Sequence, residues 1–129
     1  MTTKIIGYLL LVLSLTFSVH SYASSFKKLN VTATAYNSVS AQTDSSPSIA
    51  AWGDRLKPGM KAIAVSRDLL KMGLKHGSKV KISGLPGEYV VLDKMHHRWN
   101  RKIDIYMGKD VRAAKNWGKR RVTITVLHS

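Results

Sequence analysis

The chain has 129 residues and no cysteine, and its 21 lysines and arginines against 7 acidic residues give a formal net charge of +14. The length favours one domain, and the lack of cysteine excludes disulfides, cysteine nucleophiles and thiolate metal sites. The charge favours a polyanionic partner, such as nucleic acid, anionic lipid headgroups or the bacterial envelope.

The first residues have the order of a secretory signal peptide. Lys4 precedes an apolar stretch over residues 5–19, and small residues at Ser21 and Ala23 then mark a cleavage site before Ser24. The apolar stretch has about 15 residues, fewer than the roughly 20 that span a bilayer, so we favour cleavage over a membrane anchor. We therefore predict a signal peptide over residues 1–23 and one exported domain over residues 24–129, periplasmic or secreted. Without Lys4 the exported domain has a formal charge of +13. An exported domain rarely meets nucleic acid.

The rest of the chain alternates short strand patterns with turns and indicates an all-β domain with short helices. Strands are predicted over residues 29–36, 62–65, 79–82, 88–92, 103–107 and 121–127. A helix is predicted over residues 67–72, with Ser66 as its cap, and another over residues 111–117, between Asp110 and Gly118. The Ser- and Thr-rich residues 37–48 predict a loop.

Two of the seven acids stand out, because Asp93 ends an apolar strand pattern and Asp104 lies between two isoleucines. Burying an unpaired carboxylate is costly, so Asp104 either pairs with a base or has a raised pKa and can donate a proton. Alternation also allows a simpler interpretation, in which Asp104 is an exposed strand residue paired with a lysine. For Asp93, a turn-capping role is the usual interpretation.

Several segments, taken in order, resemble a known family. They are VTATAY (31–36), IAVS (63–66), GLKHGSKVKI (73–82), VVLD (90–93), KIDIYMG (102–108) and AAKNWGKRRVTITVL (113–127). Over residues 31–127 the chain is similar to the 3D (three-aspartate) domain, the catalytic core of membrane-bound lytic transglycosylase A and of stationary-phase survival muralytic proteins.

The resemblance implies a six-stranded double-psi β-barrel with a groove lined by the family's aspartates. It implies a lytic transglycosylase without cofactor or metal, in which Asp104 is the catalytic acid/base and Asp93 its neighbour. The partner would be peptidoglycan, cleaved to 1,6-anhydromuramoyl products by a monomer that has no stable membrane anchor after signal cleavage. The predicted substrate contacts are Tyr36, Thr43, Asp44, Ser66, Asp68, Arg98, Trp99 and Lys102.

The chain departs from the family pattern at two places. Ser66 stands where the family has its first aspartate, with Asp68 two residues on, and the bulky, basic residues 94–101 replace a glycine-rich stretch. A non-catalytic, cationic peptidoglycan-binding module therefore stays as the alternative function. Residues 94–101 are interpreted as a rim that stacks sugars and binds carboxylates, or as a solvated basic loop. No third ligand is spaced to complete a metal site with His96 and His97.

Overall fold

The computed structural model describes residues 26–39 and 48–128, in which six strands form a closed barrel accompanied by two short helices. The strands are β1 Lys28–Tyr36, β2 Ala62–Val65, β3 Lys79–Ile82, β4 Tyr89–Lys94, β5 Lys102–Tyr106 and β6 Arg120–His128. The helices are α1 Arg67–Lys71 and α2 Val111–Trp117. The predicted all-β class is confirmed, and every predicted element is present. The predicted signal peptide, residues 1–23, lies outside the described residues.

Around the barrel the strand order is β1-β5-β2-β4-β3-β6. β1 runs parallel to β5 and β2 parallel to β4, whereas the other neighbouring strands are antiparallel. Both parallel pairs join strands that are far apart in the sequence. Neither helix of the described chain is long and apolar enough to cross a membrane.

Alternation along each strand decides which side chains fill the barrel. The buried inward side chains are Val31, Ala33, Ile63, Val65, Val80, Ile82, Val91, Ile103, Ile105, Val122 and Ile124. Burial of each valine or isoleucine contributes about 1.5–3 kcal/mol, so this set holds the barrel closed. The intervening residues of β1 and β5, among them Thr34 and Asp104, therefore face outwards.

Part of the outer surface is covered by the segment that precedes β2, residues 48–61, which we name the covering loop. Ala50 and Leu56 of this loop form a second buried cluster with Ala62 and Tyr106 on the barrel. The outer face of β2 and β5 is thus sheltered at one end, and a polar group at this edge is partly withdrawn from water.

Two local predictions are wrong in detail. Asp93 does not end its strand, because β4 continues to Lys94 after a register shift opposite Ile63 and Ala64. Ser66 occupies the N-cap position of α1, but its side chain makes no capping hydrogen bond. Its hydroxyl instead accepts a hydrogen bond from the backbone N–H of Lys102, at 3.0 Å. Asp110 does cap α2, since its carboxylate accepts from the N–H of Ala113.

Candidate functional site

Asp93 and Asp104 lie in one row across four neighbouring strands. Both aspartates pair with Ala64, Asp93 from β4 and Asp104 from β5, and Thr34 of β1 pairs with Asp104. Directly paired residues point to the same face of a sheet, and two strand spacings amount to about 9.5 Å. We name these four residues the carboxyl row. Ala64, which pairs with both aspartates, is itself buried.

Asp104 is partly buried, and its Oδ1 accepts a hydrogen bond from Thr34 Oγ1 at 3.0 Å. Burial raises the pKa of this carboxyl group above its ordinary value, and the charge of Asp93 raises it further. The hydrogen bond from Thr34 and the charge of Lys102 oppose that rise without cancelling it. Within residues 26–39 and 48–128 no lysine or arginine forms a salt bridge with Asp104, and the only close contact of that type brings the His76 imidazole to the Asp54 carboxylate. The alternative of an exposed, lysine-paired Asp104 is therefore wrong.

Asp93 has a different environment, rich in hydrogen-bond donors. Its carboxylate accepts from the N–H of Ala51 at 2.7 Å, from the N–H of Lys94 at 2.9 Å and from the hydroxyl of Tyr36 at 3.4 Å. Since Ala51 belongs to the covering loop, Asp93 fastens that loop to the barrel. Two carboxyl groups in one row thus have separate surroundings, an arrangement that suits them to separate roles.

Tyr36 stands close to both aspartates. Burial is the main cause that raises the pKa of its hydroxyl, and the charges of Asp93 and Asp104 raise it further. The phenol therefore stays protonated and acts as a neutral hydrogen-bond donor. Its ring is 5.5 Å from that of Tyr106, centroid to centroid, which fixes it against β5.

Ser66 and Asp68, both predicted as substrate contacts, fasten the start of β5. Ser66 is fully buried and binds the backbone of Lys102, while Asp68 Oδ2 accepts from the N–H of Arg101 at 2.9 Å. Arg101 has a left-handed backbone (φ 47°), unusual for a residue with a side chain. These contacts set the position of the strand that carries Asp104.

The predicted contacts Arg98, Trp99 and Lys102 meet at the indole ring. Lys102 Nζ lies 3.7 Å and the Arg98 guanidinium carbon 4.9 Å from the ring centroid of Trp99, which is 36% exposed. Residues 94–101, here named the basic loop, thus present positive charge around one aromatic side chain. No group of three metal-ligating side chains occurs in the described part of the chain. Thr43 and Asp44 lie outside it.

The covering loop adds a second aromatic residue beside the site. Trp52 is half-buried, its ring is 4.9 Å from that of His76, and Lys94 Nζ lies 5.3 Å from its centroid. The loop therefore borders the carboxyl row through Ala51, and its Asp54 contacts His76.

Sequence reasoning missed Thr34 and Tyr106. Thr34 donates to Asp104 from a strand 70 residues away, and Tyr106 forms the floor under the covering loop. The pattern of residues 29–36 predicted the strand that carries Thr34, but nothing local indicated that β1 pairs with β5.

A separate cleft of about 260 Å³ opens near Met60, Lys61, Tyr89 and Asp110. Of the residues of β5, the strand that carries Asp104, only Tyr106 lines this cleft. It contains neither aspartate of the carboxyl row. Burial also raises the pKa of the Tyr89 phenol, which lines this cleft. The row, however, holds the carboxyl group with the raised pKa, a second carboxyl group and several hydrogen-bond donors, so we place the candidate site there.

The protonation of Asp104 gives a testable effect on stability. Its pKa is raised in the folded state, so folding takes up a proton between the unfolded and folded pKa values and stability falls as pH rises through that window. Asp104→Asn has no such charge to bury. As the pH rises, the free energy of unfolding of the variant should therefore increase relative to that of wild type. The total increase should be about 1.4 kcal/mol for each unit by which folding raises the pKa of Asp104. Urea unfolding between pH 3 and pH 8 measures this difference; a constant difference across that range would contradict it.

No protein-family model matches the chain, and no curated protein matches it either.

Proposed function

We propose that the protein is a lytic transglycosylase-like enzyme that cleaves peptidoglycan glycan strands, with Asp104 as its acid/base. The observation that carries this proposal is the partly buried Asp104 carboxyl group, which has a raised pKa, no ion pair and a second aspartate in the same row. A carboxyl group of this kind can hold a proton until a leaving oxygen needs it.

The proposed reaction needs a single carboxyl group. Protonated Asp104 donates to the oxygen between N-acetylmuramic acid and N-acetylglucosamine while that glycosidic bond breaks and positive charge develops on the muramoyl ring. The resulting carboxylate accepts the proton of the muramoyl C6 hydroxyl as that oxygen bonds to C1. Asp104 ends protonated again, the product carries a 1,6-anhydro ring, and no water is consumed.

The neighbours have supporting roles in this scheme. Asp93 favours the protonated form of Asp104 by its negative charge, and it fastens the covering loop over the site. Tyr36, which donates to Asp93, supplies a neutral hydroxyl close to both carboxyl groups, suited to hydrogen-bond a sugar. Lys102 and the basic loop would attract the carboxylates of the peptidoglycan stem peptides.

We further propose that the barrel is of the double-psi type and belongs with the 3D domains. The closed six-strand order and the two parallel pairs support this assignment. Export through residues 1–23 is part of the same proposal, because the polymer lies outside the cytoplasm.

The test is digestion of purified peptidoglycan sacculi, with the soluble products analysed by mass spectrometry. Wild-type protein should release anhydromuropeptides, and Asp104→Ala should release none while remaining folded. Products with reducing ends instead of anhydro rings would mean hydrolysis, and no product from folded wild-type protein would refute the enzymatic proposal.

The second candidate function is a non-catalytic peptidoglycan-binding module. The net charge of +14 and the three arginines and lysines in residues 94–101 favour it. Pull-down on sacculi separates the two candidates: equal binding by wild type and Asp104→Asn, with no soluble product from either, would favour the binding module.

A further inference from the structure

Lys102 and Asp104 lie two residues apart on the outer face of β5. Residues at this separation in a strand are about 6.6 Å apart, and a lysine side chain is long enough to reach the carboxylate. An ion pair within the strand is therefore the simplest arrangement for these two groups. Such a contact would hold Asp104 in its charged form, which cannot donate a proton.

The structure has a different arrangement, in which the ammonium group contacts Trp99. Lys102 Nζ lies 3.7 Å from the centroid of the indole ring and forms no ion pair with Asp104. An aromatic face attracts a cation at this distance through its quadrupole. Trp99 thus competes with Asp104 for the same ammonium group.

Contacts along the basic loop hold Trp99 in this position. The N–H of Trp99 donates to the carbonyl of His96 at 3.1 Å, and Arg67 Nε donates to the carbonyl of Met95 at 3.0 Å. At the other end, the N–H of Arg101 is bound by Asp68. The ring is therefore fixed over Lys102 by a loop that is fastened on both sides.

Several groups act on the Asp104 carboxyl group. Thr34 and Tyr36 face it from β1, Asp93 from β4 and Lys102 from its own strand. Among these described neighbours Lys102 is the cation, so the position of its ammonium group decides whether Asp104 has a counter-ion.

We propose that Trp99 is a positioning residue, which binds the Lys102 ammonium group and so keeps it away from the Asp104 carboxyl group. The consequence for catalysis rests on the proposed function; the electrostatic effect itself does not. Trp99 acts through Lys102 and need not touch a substrate.

The test is a titration of the Asp104 side-chain carboxyl carbon by NMR in the purified protein without substrate. In Trp99→Ala the freed ammonium group should approach the carboxylate, and the pKa of Asp104 should fall by about one unit. Trp99→Phe keeps an aromatic face and should restore most of the wild-type value. Lys102→Met removes the charge at similar length and should raise the pKa.

The double variant Trp99→Ala/Lys102→Met provides the decisive comparison. It should titrate like Lys102→Met alone, because without the ammonium group Trp99 has nothing to position. An unchanged pKa in Trp99→Ala would overturn the proposal, as would an equal fall in the Lys102→Met background. If the expected shifts occur but sacculi are not cleaved, the proposed function fails and the electrostatic role of Trp99 stands.

Discussion

Peptidoglycan cleavage is expected to slow by about 10²- to 10⁴-fold when Asp104 is replaced by asparagine, the usual contribution of general acid–base catalysis. Asparagine keeps the shape of the side chain and can still contact Thr34, but it has no proton to donate to a glycosidic oxygen. The initial rate of soluble product release from labelled sacculi, at equal concentrations of the two proteins, measures the effect.

The pH dependence of the wild-type rate gives a second view of the same group. The proton donor must be protonated at the start of the reaction, so the rate should fall about tenfold for each pH unit above the pKa of Asp104. The raised pKa of Asp104 moves this fall towards neutral pH, compared with an aspartate in water. A rate that increases steadily with pH would instead indicate a base as the essential form, and would contradict the proposed acid role.

Glu88→Gln is the matched control, because Glu88 is an exposed acid outside the carboxyl row. It removes one negative charge in the same chemical manner and should leave the rate unchanged. If Asp104→Asn and Glu88→Gln lose activity equally, the loss comes from altered net charge and substrate attraction, and the catalytic assignment fails.

Local patterns were sufficient to predict the elements of this fold. Strict alternation over residues 121–127 predicted β6, and the capping pair Asp110 and Gly118 predicted α2 with its bounds. Both signals depend on contacts within a few residues. The partners of each strand could not be predicted in that way, because the parallel pairing of β1 with β5 joins residues 70 positions apart, such as Thr34 and Asp104.

In the site, too, local patterns indicated the important residues but not the contacts between distant strands. Asp93 and Asp104 stood out by their apolar strand context, but no local pattern indicated that another strand, β2, lies between their strands and that Ala64 pairs with both. Ser66 has the right residue type and position for a helix cap. Its hydroxyl binds the N–H of Lys102 instead, because the start of β5 supplies a competing donor that no local pattern reveals.

Trp117→Ala is expected to lower the free energy of unfolding by about 3–5 kcal/mol, a large part of the stability of a domain of this size. Trp117 is the last residue of α2 and is only 7% exposed, with its ring packed in the main core. Its indole N–H donates to the carbonyl of Ala33 at 3.2 Å, and the Arg120 guanidinium carbon lies 4.0 Å from the ring centroid. Truncation therefore leaves a cavity and a buried carbonyl without its donor. Urea unfolding followed by circular dichroism measures the loss.

Two further substitutions separate packing from hydrogen bonding. Trp117→Phe keeps most of the buried ring but loses the N–H, so it should cost less than Trp117→Ala, with about 1–3 kcal/mol arising from the unpaired carbonyl of Ala33. Trp99→Ala removes a tryptophan that is 36% exposed, and it should change stability by no more than about 0.5 kcal/mol. Equal losses at Trp99 and Trp117 would contradict the packing argument. A small loss at Trp117 would mean that α2 contributes little to closure of the barrel, although its tryptophan binds the strand next to Thr34 and the carboxyl row.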